Sequence, residues 1–228
     1  MTPSRFTLCA LAGAITLALH APAFAEESTI VVTGAEQGSA LPAWTNSATK
    51  SAVAESKTPQ VITTLSAPEI DKRHANSVNE ILRYASGVST EVRGNTSYMS
   101  EYKIRGFTVD QEFYNGLQLP YNVTGNTKAR IDPLLIDSVD ILKGPSSVLY
   151  GGGSPGGLVN IQSKKPQREA RTEFGFNTGN RNLKEGYLDS TGQIADSDWN
   201  YRLLGKATEN DDQPHTTRYE NYLVAPSV

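Results

Sequence analysis

The sequence predicts a small α/β domain, a mixed β-sheet with short helices, followed by the first few antiparallel strands of an incomplete transmembrane β-barrel. Three observations predict it. Between residues 58 and 166, short β-prone runs alternate with capped helical turns and glycine-bearing loops, the pattern of a mixed sheet rather than a helical bundle. Beyond Pro166 the chain changes to long runs in which apolar and polar side chains alternate, as in strands with one face toward lipid. The strongest apolar stretch, Leu8 to Leu19, is too short to span a bilayer as a helix, so membrane insertion falls to the strands.

The first element is an export signal over residues 1–25. Arg5 supplies the positive end, Leu8 to Leu19 the apolar run, and Ala23-Phe24-Ala25 a small-x-small cleavage site. Cys9, the one cysteine in the chain, leaves with the signal, so no disulfide is expected in the mature protein. Lys and Arg total 21 against 24 Asp and Glu, a formal net charge of −3, which argues against a nucleic-acid partner. His20, His74 and His215 are scattered and offer no metal-ligand spacing. An enzyme is not expected: there is no histidine pair and no mature cysteine.

Residues 26–57 begin with the β-prone run Ser28-Thr29-Ile30-Val31-Val32-Thr33, stopped by Gly34. Ala35 to Thr58 is rich in Ala, Ser, Gly and Thr with no apolar period, and reads as a flexible tether. The folded domain is expected from Thr58, with Val61 to Leu65 as its first strand. Ser66-x-x-Glu69 is a capping box with Pro68 in the first turn, opening a helix that ends near His74. Ser77-x-x-Glu80 opens a second helix whose Val78, Ile81, Leu82 and Ala85 form one apolar stripe and whose Gly87 suits a C′ stop. Tyr102 to Phe107 is expected as a core strand, and Asn115-Gly116 between Phe113-Tyr114 and Leu117-Gln118-Leu119 as a type I′ hairpin.

The most informative stretch runs from Ile141 to Lys165. A strand from Val139 to Leu142 enters a one-turn helix from Ser146 to Tyr150, then glycines that permit positive φ, then a second strand from Leu158 to Ile161. Gly151-x-Gly153-x-x-Gly156 imitates a dinucleotide fingerprint. A helix precedes it, Pro155 interrupts it and no helix follows, so the phosphate-cradling geometry is missing.

After Pro166 four strands are expected: Thr172 to Thr178, Leu183 to Ile194, a run around Trp199 to Thr208, and Arg218 onward. Trp199, Tyr201, Leu203, Gly205 and Ala207 share one face; Asn200, Arg202, Leu204, Lys206 and Thr208 share the other. Four strands do not close a lumen, which takes about 22 in barrels that hold a plug. The sequence thus reads as an N-terminal portion whose barrel is truncated, and whose open strands are expected to fray.

The Ile104-Arg105-Gly106-Phe107, Asn115-Gly116-Leu117, Ile131-Asp132-Pro133 and Gly144-Pro145-x-x-Val148-Leu149-Tyr150-Gly151 blocks, in this order, resemble the TonB-dependent outer-membrane receptors, and among them the ferrichrome-type ferric-siderophore receptors. The resemblance runs from Thr29 to Val228. It implies four parts: a signal peptide at 1–25, a TonB box and flexible linker at 26–57, a plug domain at 58–166, and a truncated start of the β-barrel at 167–228. It further implies that Ser28 to Thr33 is captured as an added strand by the C-terminal domain of the periplasmic coupler TonB. The box follows the signal directly, so the extra N-terminal signalling domain of some family members is not expected. Arg105 matches a plug arginine that faces glutamates on the barrel wall. Lys143 stands where the family has a second one, keeping the charge but losing the bidentate fork. Arg93 and Tyr121 match apical ligand contacts, Gln111 falls in an intervening loop that is shorter here, and Tyr98, Tyr102 and Tyr114 add aromatic surface nearby. Iron would arrive already chelated as a ferric siderophore, so no resident cofactor is implied. The implied place is the outer membrane, with a non-transporting periplasmic remnant that still binds TonB as the alternative.

Overall fold

The computed structural model describes residues 44–45, 47–51, 53–54, 57–91, 101–120, 129–195, 197–211 and 218–228. These all fall within one compact unit, Gly38–Val228. The α/β part is built on a five-stranded mixed sheet. Its strands are β3 (Val61–Ser66), β7 (Glu112–Tyr114), β8 (Leu117–Gln118), β9 (Ile136–Lys143) and β10 (Gly157–Ser163), in the order β3-β9-β10-β7-β8. Only β10 and β7 run parallel; the other pairs are antiparallel. Two further pieces complete the domain: a two-residue ladder between β1 (Trp44–Thr45) and β2 (Val53–Ala54), and a three-stranded sheet of β4 (Val88–Thr90), β5 (Tyr102–Ile104) and β6 (Phe107–Thr108).

Both faces of the mixed sheet are covered, which is why β9 carries a continuous buried run from Val139 to Lys143 instead of an alternating one. On one face Val139, Ile141, Val159 and Ile161 pack with Ile70 of α1 (Ala67–Lys72), with Ile81 and Leu82 of α2 (Val78–Leu82), and with Tyr102 and Ile104. Fully burying a side chain such as Ile81 or Leu82 stabilises the fold by about 1.5–3 kcal/mol. On the other face Ile62, Phe113, Leu142 and Leu158 pack with Ala48 and Tyr150.

Several sequence expectations change here. Ser66 is the N-cap of α1 but its side chain makes no cap hydrogen bond, and Glu69 pairs instead with Arg73 one turn later; a fixed (i, i+4) ion pair has displaced the reciprocal box. At α2 the Ser77 hydroxyl does accept from the Glu80 amide at 3.3 Å, while the Glu80 carboxylate reaches the Asn76 amide at 2.7 Å. This helix ends at Leu82, and Gly87 (φ +71) serves a later turn into β4 rather than the C′ position. Tyr102 to Phe107 is not one strand. Arg105 (φ +52) and Gly106 (φ +85) form a two-residue turn between β5 and β6, with the backbone of a type I′ hairpin. Asn115 (φ +51) and Gly116 (φ +80) form the second such hairpin, as expected.

The tether also gives way in part. Ser47 and Ala48 are buried against the sheet, so the folded domain begins before Thr58. Small polar residues suggested a linker, but here they satisfy a buried polar patch. Ser47 and Thr64 both donate to Asp140, the latter at 2.7 Å, and Asn160 donates to Ser47 Oγ at 2.7 Å.

The C-terminal residues form a second, four-stranded antiparallel sheet: β11 (Arg171–Gly179), β12 (Leu183–Gln193), β13 (Asn200–Asp211) and β14 (Arg218–Ser227), in sequence order. Registers place Phe174 opposite Leu188, and Leu188 opposite Gly205 beside Val224. One face therefore carries Phe174, Phe176, Leu188, Leu203, Tyr222 and Val224, all exposed. The opposite face carries Glu185, Asp189, Arg202, Lys206 and Asn221 and packs on the α/β domain.

Candidate functional site

Two features are candidates for function: a glycine-rich loop at one end of the mixed sheet, and a polar seam between the domain and the four strands. The loop leaves β9 at Gly144 and returns at Gly157, with the four-residue helix α3 (Ser147–Tyr150) inside it. Two glycines let backbones meet there. A Cβ at Gly156 would overlap the carbonyl oxygen of Ile104, and one at Gly157 (φ +140) the carbonyl oxygen of Leu142. The first contact seats the β5-β6 hairpin on the loop; the second closes the β9-β10 pair.

Beside the loop lies a cavity of about 140 Å³ lined by Gln111, Phe113, Ser146, Ser147, Tyr150 and Ser154, among others. Gln111 reaches this wall, its Oε1 standing 3.3 Å from where a Cβ of Gly153 would be. The Tyr150 ring meets Phe113 edge-on at 4.7 Å between centroids. Burial pushes the Tyr150 phenol above its usual pKa, with the Asp140 charge adding to the effect.

Arg105 and Lys143 meet at the same end. The Arg105 guanidinium lies 3.5 Å from the Cβ position of Gly144. Lys143 is buried, donates to Ser86 Oγ at 2.8 Å, and its ammonium is pushed below the usual lysine pKa by burial and then by Arg105. Two cations held this close make the loop end electropositive. Arg105 also carries the cost of a left-handed conformation, about 1 kcal/mol for a residue with a Cβ. Arg105→Gly should therefore raise the thermal midpoint of the chain, since it removes both that strain and the repulsion on Lys143. A lower midpoint would show that the guanidinium contributes more than it costs.

The other sequence candidates are spread out. Tyr114 lies at the far end of β7 from Gln111, next to the Asn115 hairpin that bonds Ser163, and packs partly into the core. Tyr102 is fully buried in that core, with Glu112 beside its hydroxyl, so it adds no aromatic surface to a ligand site: the period-2 register of β5 turns it inward with Ile104. Burial pushes its phenol well above the usual value. Arg93, Tyr98, Tyr121 and the run Ser28 to Thr33 lie outside the described residues.

Sequence reasoning missed the polar seam. Asp189 accepts two bonds from Arg202, at 2.9 and 2.6 Å, and pairs with Lys164 at 3.4 Å; Arg202 also donates to the Lys165 carbonyl at 3.0 Å. Lys206 bridges Glu185 at 2.8 Å and Asp132 at 3.3 Å, and Asn221 donates to the same Asp132 at 3.4 Å. Arg130 stacks over Tyr219, 5.1 Å from its centroid. Asp132 holds its place by capping the 3₁₀ turn Pro133–Leu135, accepting from the Leu134 amide at 2.9 Å. The period-2 pattern did put Arg202, Lys206 and Thr208 on one face, but nothing in it names their partners in the domain.

A small mixed-sheet domain tied by a buried polar seam to strands that are apolar on their outer face defines a plug joined to outer-membrane barrel strands. Comparison with known proteins agrees. Residues 54–158 match the TonB-dependent Receptor Plug Domain. The ferrioxamine receptor of Yersinia enterocolitica is 32% identical over 231 residues, covering 97% of this chain and 32% of the relative. The ferrichrome outer membrane transporter/phage receptor of Escherichia coli K12 is 34% identical over 216 residues, covering 89% of this chain and 29% of the relative. The pyoverdine outer membrane receptor FpvA of Pseudomonas aeruginosa, solved with pyoverdine, superposes with a TM-score of 0.69 at 26% identity, over 77% of this chain and 26% of that one. This chain belongs to the TonB-dependent receptor family, with relatives that are ferric-siderophore receptors, and it spans about a third of the length of the curated relatives it matches. Such relatives are receptors and transporters, not enzymes.

Proposed function

We propose that the chain acts as the N-terminal portion of an outer-membrane receptor that binds a ferric siderophore and imports it when TonB engages Ser28 to Thr33. The observation that supports this reading is the polar seam between the plug and strands β11–β14, where Lys164 pairs with Asp189 and Lys206 with Asp132, on the face opposite the strands' apolar one, as a plug held against a barrel wall would need. Residues 1–25 serve as the export signal, 26–43 as the box and tether, the plug follows to 166, and barrel strands begin after it. Arg93, Tyr98, Gln111 and Tyr121 are the proposed plug contacts to the siderophore, Tyr114 being set apart from Gln111 at the other end of β7, and Arg105 and Lys143 are the proposed contacts to barrel carboxylates. The iron is cargo, bound through its chelator rather than by protein ligands.

Strand addition depends on main-chain donors, so Ile30→Pro should weaken binding of the TonB C-terminal domain. In a receptor-length protein starting with this chain, it should also abolish growth on a ferric siderophore in a strain without its own receptor. Arg93→Ala should lower siderophore affinity and leave TonB binding intact. Coupler binding that persists after both Ile30→Pro and deletion of Ser28 to Thr33 would reject the box. Coupler binding without growth, in the unsubstituted protein, would favour the non-transporting alternative.

A further inference from the structure

The segment Ser47 to Lys50 lies across the sheet face opposite the helices, and its fastenings converge on two places. One is the polar patch on β9 and β10: Ser47 Oγ donates to Asp140 and accepts from Asn160 at 2.7 Å and Gln162 at 3.3 Å. The other is Tyr150. Its hydroxyl donates to the Ser47 carbonyl at 2.5 Å, and its ring lies under the Lys50 ammonium, 4.9 Å from the centroid. Ala48 alone of this segment enters the apolar cluster, and the flanking β1-β2 ladder is two residues long. Among the described residues, little apolar surface and few ladder bonds hold the segment, the pattern of a piece that opens locally.

Tyr150 does not belong to the segment. It ends α3 inside the glycine-rich loop, and with Phe113 it forms part of the wall of the cavity beside Gln111. We propose that residues 47–50 are a detachable catch seated by Tyr150, so that lifting the catch and loosening the serine–glycine loop at 144–156 are one event. Tyr150 is then a positioning residue: it acts through Ser47, and the loop is held as firmly as the catch is. Lifting the catch removes the acceptor of the Tyr150 hydroxyl, the cation over its ring and the Ala48 methyl from the apolar cluster that holds Phe113, together. The existence of the catch rests on these contacts alone. Its use, to couple the segment ahead of Ser47 to the loop beside Gln111, rests on the import reading above.

The test needs neither TonB nor siderophore, so its failure is separate from a failure of that reading. In the full chain with Cys9→Ser, a cysteine placed by Ala48→Cys is labelled with a water-soluble maleimide, and one placed by Val139→Cys reports the core. Position 48 should react at least tenfold more slowly than in urea. Tyr150→Phe or Ser47→Ala should raise its rate tenfold or more while position 139 stays protected. Ser47→Ala should also speed thermolysin cleavage at Val148-Leu149, more than 90 residues away, and leave core cleavage unchanged. If Ala48→Cys disturbs packing, Thr49→Cys gives the same readout. Labelling at 48 that ignores both replacements, loop cleavage that ignores Ser47→Ala, or positions 48 and 139 opening together would each overturn the catch.

Discussion

Gly157→Ala should unfold the loop end of the plug, the largest effect expected of a single methyl added at any described glycine. Gly157 opens β10 opposite Lys143, and its φ of +140 is closed to residues with a Cβ. The added carbon would also overlap the Leu142 carbonyl oxygen. Relief requires moving β9 from β10, and with it Leu142, Leu158 and the buried patch of Asp140 and Asn160. Strain and lost packing together should cost about 3–5 kcal/mol, the scale of a severe core substitution. Urea unfolding of the full chain, followed by circular dichroism, should show a much lower midpoint or no cooperative transition. Gly152→Ala is the control, because a Cβ there meets open space. Equal midpoints for the two variants would sink the argument.

Asp189→Ala should release the plug from the strands. Asp189 neutralises Arg202 and Lys164 at once, and all three side chains are largely shielded from water. Removing the carboxylate leaves two cations facing each other in the seam, a loss of roughly 3 kcal/mol for a shielded pair broken on one side. That corresponds to about a hundredfold rise in the open population, read as faster tryptic cleavage after Lys164 and Arg168 in the detergent-solubilised chain. Asp137→Ala, at an exposed position of β9, should cleave at the original rate. Replacing all three together, Asp189→Leu with Arg202→Met and Lys164→Met, should recover much of the protection, read at Arg168, because no unpaired charge of the group remains. A single variant that cleaves no faster than the parent would mean the seam is held by packing rather than by ions.

Most of the element order was legible in the sequence because it is written in local patterns. The Asn115-Gly116 turn, the apolar stripe of α2, the strands on either side of the glycine-rich loop and the four long alternating strands each follow from residues within one window. Period-2 alternation also fixed the two faces of the outer strands in advance, since a strand's side chains must alternate. The family blocks, too, are short and local. What the sequence could not decide is what depends on partners far along the chain. Arg105-Gly106 looked like strand interior, but both take positive φ in a turn whose preceding residue, Ile104, lies against Gly156. Ser47 and Ala48 looked like linker because their reason for order, Asp140 and Asn160, lies about 100 residues on. The Asp132–Lys206–Glu185 and Lys164–Asp189–Arg202 groups join residues up to 89 positions apart with their neighbour Asn221. Propensity and period are properties of a segment, so the sequence by itself determined the elements and their faces. A buried polar contact is a property of two segments brought together, and only the tertiary structure decided which charge met which.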